Sequence, residues 1–177
     1  MRWLIATVLL LTSSCALAEG RLYGELQLGG GGIRNSGLDF YPFFGTVTLG
    51  GYVARNIGIE IFGDSSVSPA SDEGFEMDIE QAYGIALRLQ SPPVNSVQGF
   101  IVLGAVNYTL DQRSESNPAS EVDAINGEFT GMRVSVGLMQ RLKRLPGLLF
   151  TAEYRHYNAD EPLRVDAIVL GIRVNSP

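Results

Sequence analysis

The chain has 177 residues, with 21 Gly, 9% aromatic and 18% charged residues, a net charge of −6 and a pI of about 4.8. Such an acidic balance provides no basic stripe to neutralise phosphates, so no nucleic-acid partner is expected. One Cys and one His leave little for a metal centre or a catalytic triad, and a Gly-rich chain without helical periodicity reads as all-β.

Residues 1–18 read as a signal peptide. Arg2 precedes an apolar run from Trp3 to Leu11, and Ala16-Leu17-Ala18 forms a small-residue cleavage site before Glu19. The run is too short to span a bilayer as a helix. Cys15 lacks the Leu expected three residues before a lipid-bearing cysteine, so cleavage after Ala18 is expected instead. The mature chain, 19–177, then holds no cysteine, which removes disulfides, thiolate-ligated metals and thiol nucleophiles together.

Eight segments with period-two alternation follow, near 21–33, 43–54, 57–64, 77–90, 98–111, 127–140, 148–157 and 164–175, separated by clusters of Gly, Pro, Asn, Asp and Ser. In the third, Ile57, Ile59 and Ile61 oppose Glu60, Phe62 and Asp64. The fourth sets Met77, Ile79, Tyr83, Ile85, Leu87 and Leu89 against Glu80, Ala82, Gly84, Ala86 and Arg88. The sixth sets Met132, Val134, Val136 and Leu138 against Gly131, Arg133, Ser135 and Gly137. In the seventh, Leu148, Phe150, Ala152 and Tyr154 oppose Thr151, Glu153, Arg155 and Tyr157. One face is continuously apolar while the other is small or charged, the reverse of a soluble barrel. The apolar face must meet lipid, and strands span lipid only as a closed barrel. The predicted fold is therefore an all-β, eight-stranded antiparallel up-and-down transmembrane barrel.

Connection lengths alternate in phase with this reading. Short periplasmic turns fall at 55–56, 91–96 and 141–147, and longer or more polar outer loops at 34–42, 65–76, 112–126 and 158–163, with both termini in the periplasm. Asp72, Glu73, Glu76, Glu115, Glu121, Asp123, Asp160 and Glu161 make the outer loops acidic, and Arg141, Lys143 and Arg144 make one periplasmic turn basic.

Mid-strand charges fall on inward parity: Glu25, Glu60, Glu80 and Glu153, with Arg88, Arg133, Arg155 and Arg173. Buried alone, each would be costly, so pairing inside the barrel is expected. An eight-stranded barrel has room inside for little beyond its own side chains, which makes this network a plug; spacing alone does not separate a static salt-bridge core from a gated ion path. Arg164 and Asp166 fit the inward face less cleanly, and a bulge or a start above the membrane is expected there. Tyr23, Tyr52, Phe100, Tyr108, Phe150 and Tyr154 lie within strands, and those on the outer face near strand ends would form interfacial girdles. The Gly29 to Gly32 run lacks the Lys and the following helix of a phosphate loop; it suits a bend or close packing inside the barrel.

The stretch Gly45-Thr46-Val47-Thr48-Leu49-Gly50-Gly51-Tyr52-Val53-Ala54-Arg55-Asn56-Ile57-Gly58-Ile59-Glu60, with Ala152-Glu153-Tyr154-Arg155 and Gly171-Ile172-Arg173-Val174, resembles the outer-membrane β-barrel superfamily that includes the transmembrane domain of outer membrane protein A. The resemblance covers 19–177. It implies a bacterial outer-membrane location reached through the periplasm, contact with outer-membrane lipid and lipopolysaccharide, and help from periplasmic chaperones and the barrel-assembly machinery. The end Val174-Asn175-Ser176-Pro177 departs from the family's terminal aromatic residue.

Two rival functions remain open. His156-Tyr157-Asn158-Ala159 is similar to the stretch of lipid A deacylases in which a catalytic His precedes a nucleophilic Ser by two residues, but the Ser position is Asn158, which has no hydroxyl to activate. Uptake of small apolar molecules through a lateral opening would need an inward apolar path, for which Ile101, Leu103 and Ala105 are the candidates. The leading reading is a non-enzymatic, porin-like barrel without cofactor or metal, with a plugged charge-balanced lumen, a role in envelope structure and acidic loops facing an external partner that the sequence does not specify.

Overall fold

Alternation of apolar with small or charged side chains produces ten antiparallel strands. They lie within the residues described by the computed structural model: 22–35, 38–68, 70–72, 75–114, 127–145, 147–159 and 164–176. The expected signal peptide lies outside these residues. The strands are β1 (Leu22–Asn35), β2 (Leu38–Phe40), β3 (Phe43–Ala54), β4 (Ile57–Ser68), β5 (Ala70–Asp72), β6 (Phe75–Gln90), β7 (Val97–Ser114), β8 (Gly127–Arg141), β9 (Leu148–Ala159) and β10 (Arg164–Asn175).

Eight of them are barrel staves: β1, β3, β4 and β6 to β10, each paired with its neighbours, and β1 closes on β10 from Tyr23↔Asn175 to Arg34↔Arg164. Closure leaves no free sheet edge, as a lipid environment demands. No helix among the described residues is long and apolar enough to cross a membrane; crossing is by strands. The two short strands belong to hairpin extensions, β2 pairing with β1 and β5 with β6. Parts of the expected loops 34–42, 65–76 and 112–126 are thus ladder, because backbone pairing continues past the lipid-facing band whatever the side-chain polarity.

The interior and exterior are inverted relative to a soluble protein. The largest fully buried side chains include Arg88, Arg133, Arg155 and Arg173, while Leu26, Val47, Ile61, Ile85, Val136, Leu138 and Ile168 are exposed on the outer wall. Inside, Phe44, Ala167 and Val169 form a small apolar cluster beside the Gly run of β1. Gly29 and Gly31 face inward there. A Cβ on Gly29 would lie 2.2 Å from the Ile168 carbonyl oxygen, and one on Gly31 2.7 Å from that of Asp166. The run therefore packs the seam between first and last staves closely, and its pairing with β10 continues unbroken.

Bulges carry the irregularities. Val67 and Val53 are the extra residues where β4 and β3 shift register, and Glu80 is the extra residue of β6 opposite β7. Of the two expectations near Arg164 and Asp166, a bulge or a start above the membrane, the bulge is absent: β10 runs in continuous register with both β9 and β1. Its inward set is Val165, Ala167, Val169, Gly171 and Arg173, so its parity never changes. Asp166 points outward, beyond the end of the apolar run formed by Ile168, Leu170, Ile172 and Val174.

The connection at 91–96 ends in a two-residue turn. Asn95 and Ser96 have φ of 51° and 71°, and Val94 and Val97 exchange two backbone hydrogen bonds of 2.8 and 2.9 Å. Positive φ at both central residues matches the right-handed twist of a hairpin, and Asn tolerates it better than Ser. Ser96→Gly is expected to stabilise the barrel by about 0.5–1 kcal/mol, read as a raised midpoint of urea unfolding in lipid vesicles; a neutral or negative effect would contradict the strain assigned to Ser96.

Candidate functional site: the lumen charge network

Among the described residues, inward parity on six staves delivers four acids and four bases to one interior. Glu25 comes from β1, Glu60 and Asp64 from β4, Arg88 from β6, Arg133 from β8, Glu153 and Arg155 from β9, and Arg173 from β10. All are buried, and they sort into two layers.

The layer nearer the chain termini holds Glu25, Glu60, Arg88 and Arg173. Arg173 forks onto Glu25 Oε2 through Nε at 2.9 Å and Nη2 at 2.5 Å, and Nη2 also reaches Glu60 Oε1 at 3.2 Å. Arg88 Nη1 donates to the same Glu60 oxygen at 2.9 Å and lies 3.8 Å from Glu25 Oε2. The hydroxyls of Tyr23 and Thr151 donate to Glu60 and Glu25 at 2.8 and 2.6 Å. Arg173 Nη1 donates to the Tyr52 hydroxyl at 3.1 Å, which in turn donates to Gln90.

The second layer holds Asp64, Arg133, Glu153 and Arg155. Glu153 Oε1 accepts from Arg133 Nη2 at 2.6 Å and from Arg155 Nε at 2.8 Å. Arg155 Nη1 reaches Asp64 Oδ1 at 3.2 Å and Thr46 Oγ1 at 2.7 Å, and the Tyr157 hydroxyl donates to Asp64 Oδ2 at 2.7 Å. Each layer contains two carboxylates and two guanidiniums, so each is neutral by itself. Gln27 joins them: its Nε2 donates to Glu25 at 2.7 Å and Glu153 at 3.0 Å, while its Oε1 accepts from Arg155 Nη2.

Aromatic faces complete the lining. The guanidinium carbons of Arg88, Arg173 and Arg133 sit 3.5, 3.9 and 4.4 Å from the ring centroids of Phe100, Tyr23 and Phe62. Stacking suits Arg88 and Arg133, some of whose N–H groups meet no acceptor among the described residues, because a ring face attracts cationic charge where a hydrogen bond is missing.

Seven of the eight residues assigned to the lumen from sequence are therefore brought together. The side chain of Glu80 lies outside the described residues, and its backbone is the bulge of β6, where alternation loses its phase. Asp64 supplies the fourth acid. Its signal was its shared parity with Glu60 and Phe62, as Thr151 and Tyr157 shared parity with Glu153 and Arg155; Gln27, Thr46 and the buried Tyr23 gave none, since neutral polar residues look alike on either face. Of the aromatic residues considered for a girdle, Phe150 and Tyr154 face out, Tyr23 and Phe100 face in, Tyr52 is half-buried and the side chain of Tyr108 is outside the described residues.

The inward apolar path expected from Ile101, Leu103 and Ala105 is corrected. These three face outward, and Phe100, Val102 and Val106 line the interior. In β7 both faces are apolar, so alternation carries no phase; register with Arg88, which pairs with Val102, sets it.

His156 lies on the outer wall, its Nδ1 2.8 Å from Asp166 Oδ1, and the same oxygen accepts the Tyr154 hydroxyl at 2.6 Å. Asn158, on the same outward face of β9, holds the position at which a deacylase would place its nucleophile. Among the described residues no group of three or more His, Cys, Asp or Glu is placed to hold a metal. The acidic loop residues expected at the far end lie outside the described side chains.

No protein-family model matches the chain, and no curated protein matches it in sequence. Solved structures match it in fold. Ail, the attachment invasion locus protein of Yersinia pestis, solved with the heparin analogue sucrose octasulfate, is 14% identical with a TM-score of 0.63, over 89% of this chain and 99% of that one. Neisserial surface protein A aligns at 11% identity and TM-score 0.64 over 86% and 96% of the two chains. The N-terminal β-barrel domain of Pseudomonas aeruginosa OprF aligns at 11% and 0.59 over 89% and 99%. The fold is that of the small eight-stranded outer-membrane barrels.

Proposed function

We propose that the protein is an integral barrel of the bacterial outer membrane that performs no chemistry, keeps its lumen closed to solutes and supports envelope structure through its wall and outer loops. The observation that carries this reading is the interior: eight charged groups paired in two neutral layers, with Arg155 and Arg173 at 0% exposure. A wide aqueous pore would solvate such groups; here, among the described residues, other side chains hold them. Export through the periplasm, contact with lipopolysaccharide and assembly by the barrel-insertion machinery follow from the same reading, with the acidic loops as the surface offered outside. The enzyme reading loses support at Asn158, and uptake through the wall at Ile101, Leu103 and Ala105.

The test is electrical. Purified protein inserted into a planar bilayer is expected to give no large steady conductance at moderate voltage; a stable, reproducible open channel would overturn the closed-lumen reading.

A further inference from the structure

The end of the barrel that carries the termini has short connections of one charge sign. Residues 55–56, 91–96 and 141–147 include Arg55, Arg141, Lys143 and Arg144 and no Asp or Glu, although the chain as a whole has a net charge of −6. Three of these four cations, among them the one lysine of the sequence, fall in the turn between β8 and β9. Backbone bonds fix its shape. Leu145 N donates to the Leu142 carbonyl oxygen at 3.1 Å, which makes Lys143 and Arg144 the central pair of the turn. The amides of Leu142 and Leu148 donate to the carbonyl oxygens of Leu148 and Leu145 at 3.1 and 2.9 Å. Lys143 and Arg144 are exposed and form no ion pair among the described residues, in contrast to the four arginines of the lumen. Beside them two apolar side chains are also bare, Leu142 at 37% and Leu145 at 54% exposure. Val94 is 68% exposed in the neighbouring turn, to which Arg141 N is bonded through the Ser96 carbonyl oxygen at 3.0 Å.

We infer that this turn binds an anionic glycerophospholipid of the leaflet on the terminal side of the membrane, Lys143 and Arg144 holding its phosphate and Leu142 and Leu145 lying against its acyl chains. The outward residues of β8 set the depth. They are apolar from Met132 to Leu138, polar at Gln140 and apolar again at Leu142, so the turn begins about where hydrocarbon gives way to headgroups. Exposed leucines by themselves are ordinary. Next to unpaired cations at this depth they make a surface that is apolar toward the bilayer and cationic toward water, the complement of an anionic leaflet's boundary. Ammonium and guanidinium groups bind phosphate through charge-assisted hydrogen bonds, and these connections hold no carboxylate side chain to repel a lipid of net negative charge. Peptidoglycan, an acidic polymer on the same side, would match the cations but leave the leucines without a partner. The inference rests on the barrel spanning a membrane with its termini in the periplasm, and not on whether its lumen conducts.

Native mass spectrometry of the detergent-solubilised full barrel tests it with dioleoylphosphatidylglycerol and dioleoylphosphatidylethanolamine, which share their acyl chains and differ in net charge. The glycerol lipid is expected to bind roughly five- to tenfold more tightly. Lys143→Gln with Arg144→Gln should erase that preference, while Lys143→Arg with Arg144→Lys, which keeps both charges, should retain it. Leu142→Ser with Leu145→Ser should weaken both lipids together. Should the neutral variant fail to fold, raising the ammonium acetate concentration on the unaltered protein decides, because screening must shrink a preference that rests on exposed charge. Equal binding of the two lipids, a preference that survives loss of both cations or added salt, or binding indifferent to the leucines would overturn the inference and leave the membrane barrel standing. Retention of neither lipid would count against that barrel as well. Co-sedimentation with isolated peptidoglycan that depends on Lys143 and Arg144, without a lipid preference, would overturn it in favour of the cell wall.

Discussion

Arg155→Met is expected to cost about 3–5 kcal/mol of stability, the largest loss of any single lumen substitution, because it leaves two buried carboxylates with too few partners. Arg155 contacts Glu153, Asp64, Thr46, Gln27 and Tyr157 at once. Without it the second layer keeps Arg133 against both Glu153 and Asp64, one negative charge in excess. Neutrality, more than any individual contact, then predicts a rescue: adding Asp64→Asn removes the excess charge, and the double variant should recover about 1–3 kcal/mol relative to the sum of the single effects. Equilibrium unfolding in lipid vesicles measures all four members of the cycle. Strict additivity would show that the layer does not act as one charge-balanced unit.

The outer wall makes the opposite demand. Val136 lies outward in the middle of β8 between Val134 and Leu138, 56% exposed, where a soluble protein would tolerate any charged residue. Val136→Arg is expected to destabilise the barrel in vesicles by about 2–4 kcal/mol if that position lies near the bilayer centre. Leu142→Arg, in the exposed turn after β8, is the control and should cost under about 1 kcal/mol. Similar small costs at both positions would mean that Val136 does not face lipid. The pair also separates membrane depth from general tolerance, since both starting residues are apolar and exposed.

Legibility in the sequence followed the contrast between the two faces of each strand. Where one side was apolar and the other small or charged, as in β4 around Glu60 and β9 around Glu153, parity alone placed the side chains. In β7, Phe100 to Val106 offered no contrast, and the phase had to come from hydrogen-bonded register with β6. Glu80 marks a second limit: it is the extra residue of a bulge, where alternation loses its phase, and nothing in Asp78-Ile79-Glu80-Gln81 announces it. At Asp166 parity left two readings open, a bulge or a start above the membrane, and only the unbroken register of β10 removes the first. One close approach, of the Tyr41 ring to Gly32, was not legible at all. Tyr41 reaches Gly32 from another connection, a contact fixed by β2 and the start of β3 that no spacing along the chain encodes.

The pairing of Glu25 with Arg173 joins residues 148 positions apart, across the seam between β1 and β10. Every other stave can form its hairpin from nearby sequence, but this carboxylate and this guanidinium meet only once the ends of the chain meet. An open sheet would expose two unpaired edges and two uncompensated charges to hydrocarbon, so a half-closed intermediate within the bilayer has nothing to stabilise it. Ring closure, charge neutralisation and insertion are accordingly bound into a single kinetic step, and the barrel should enter the membrane all at once, without a long-lived open form.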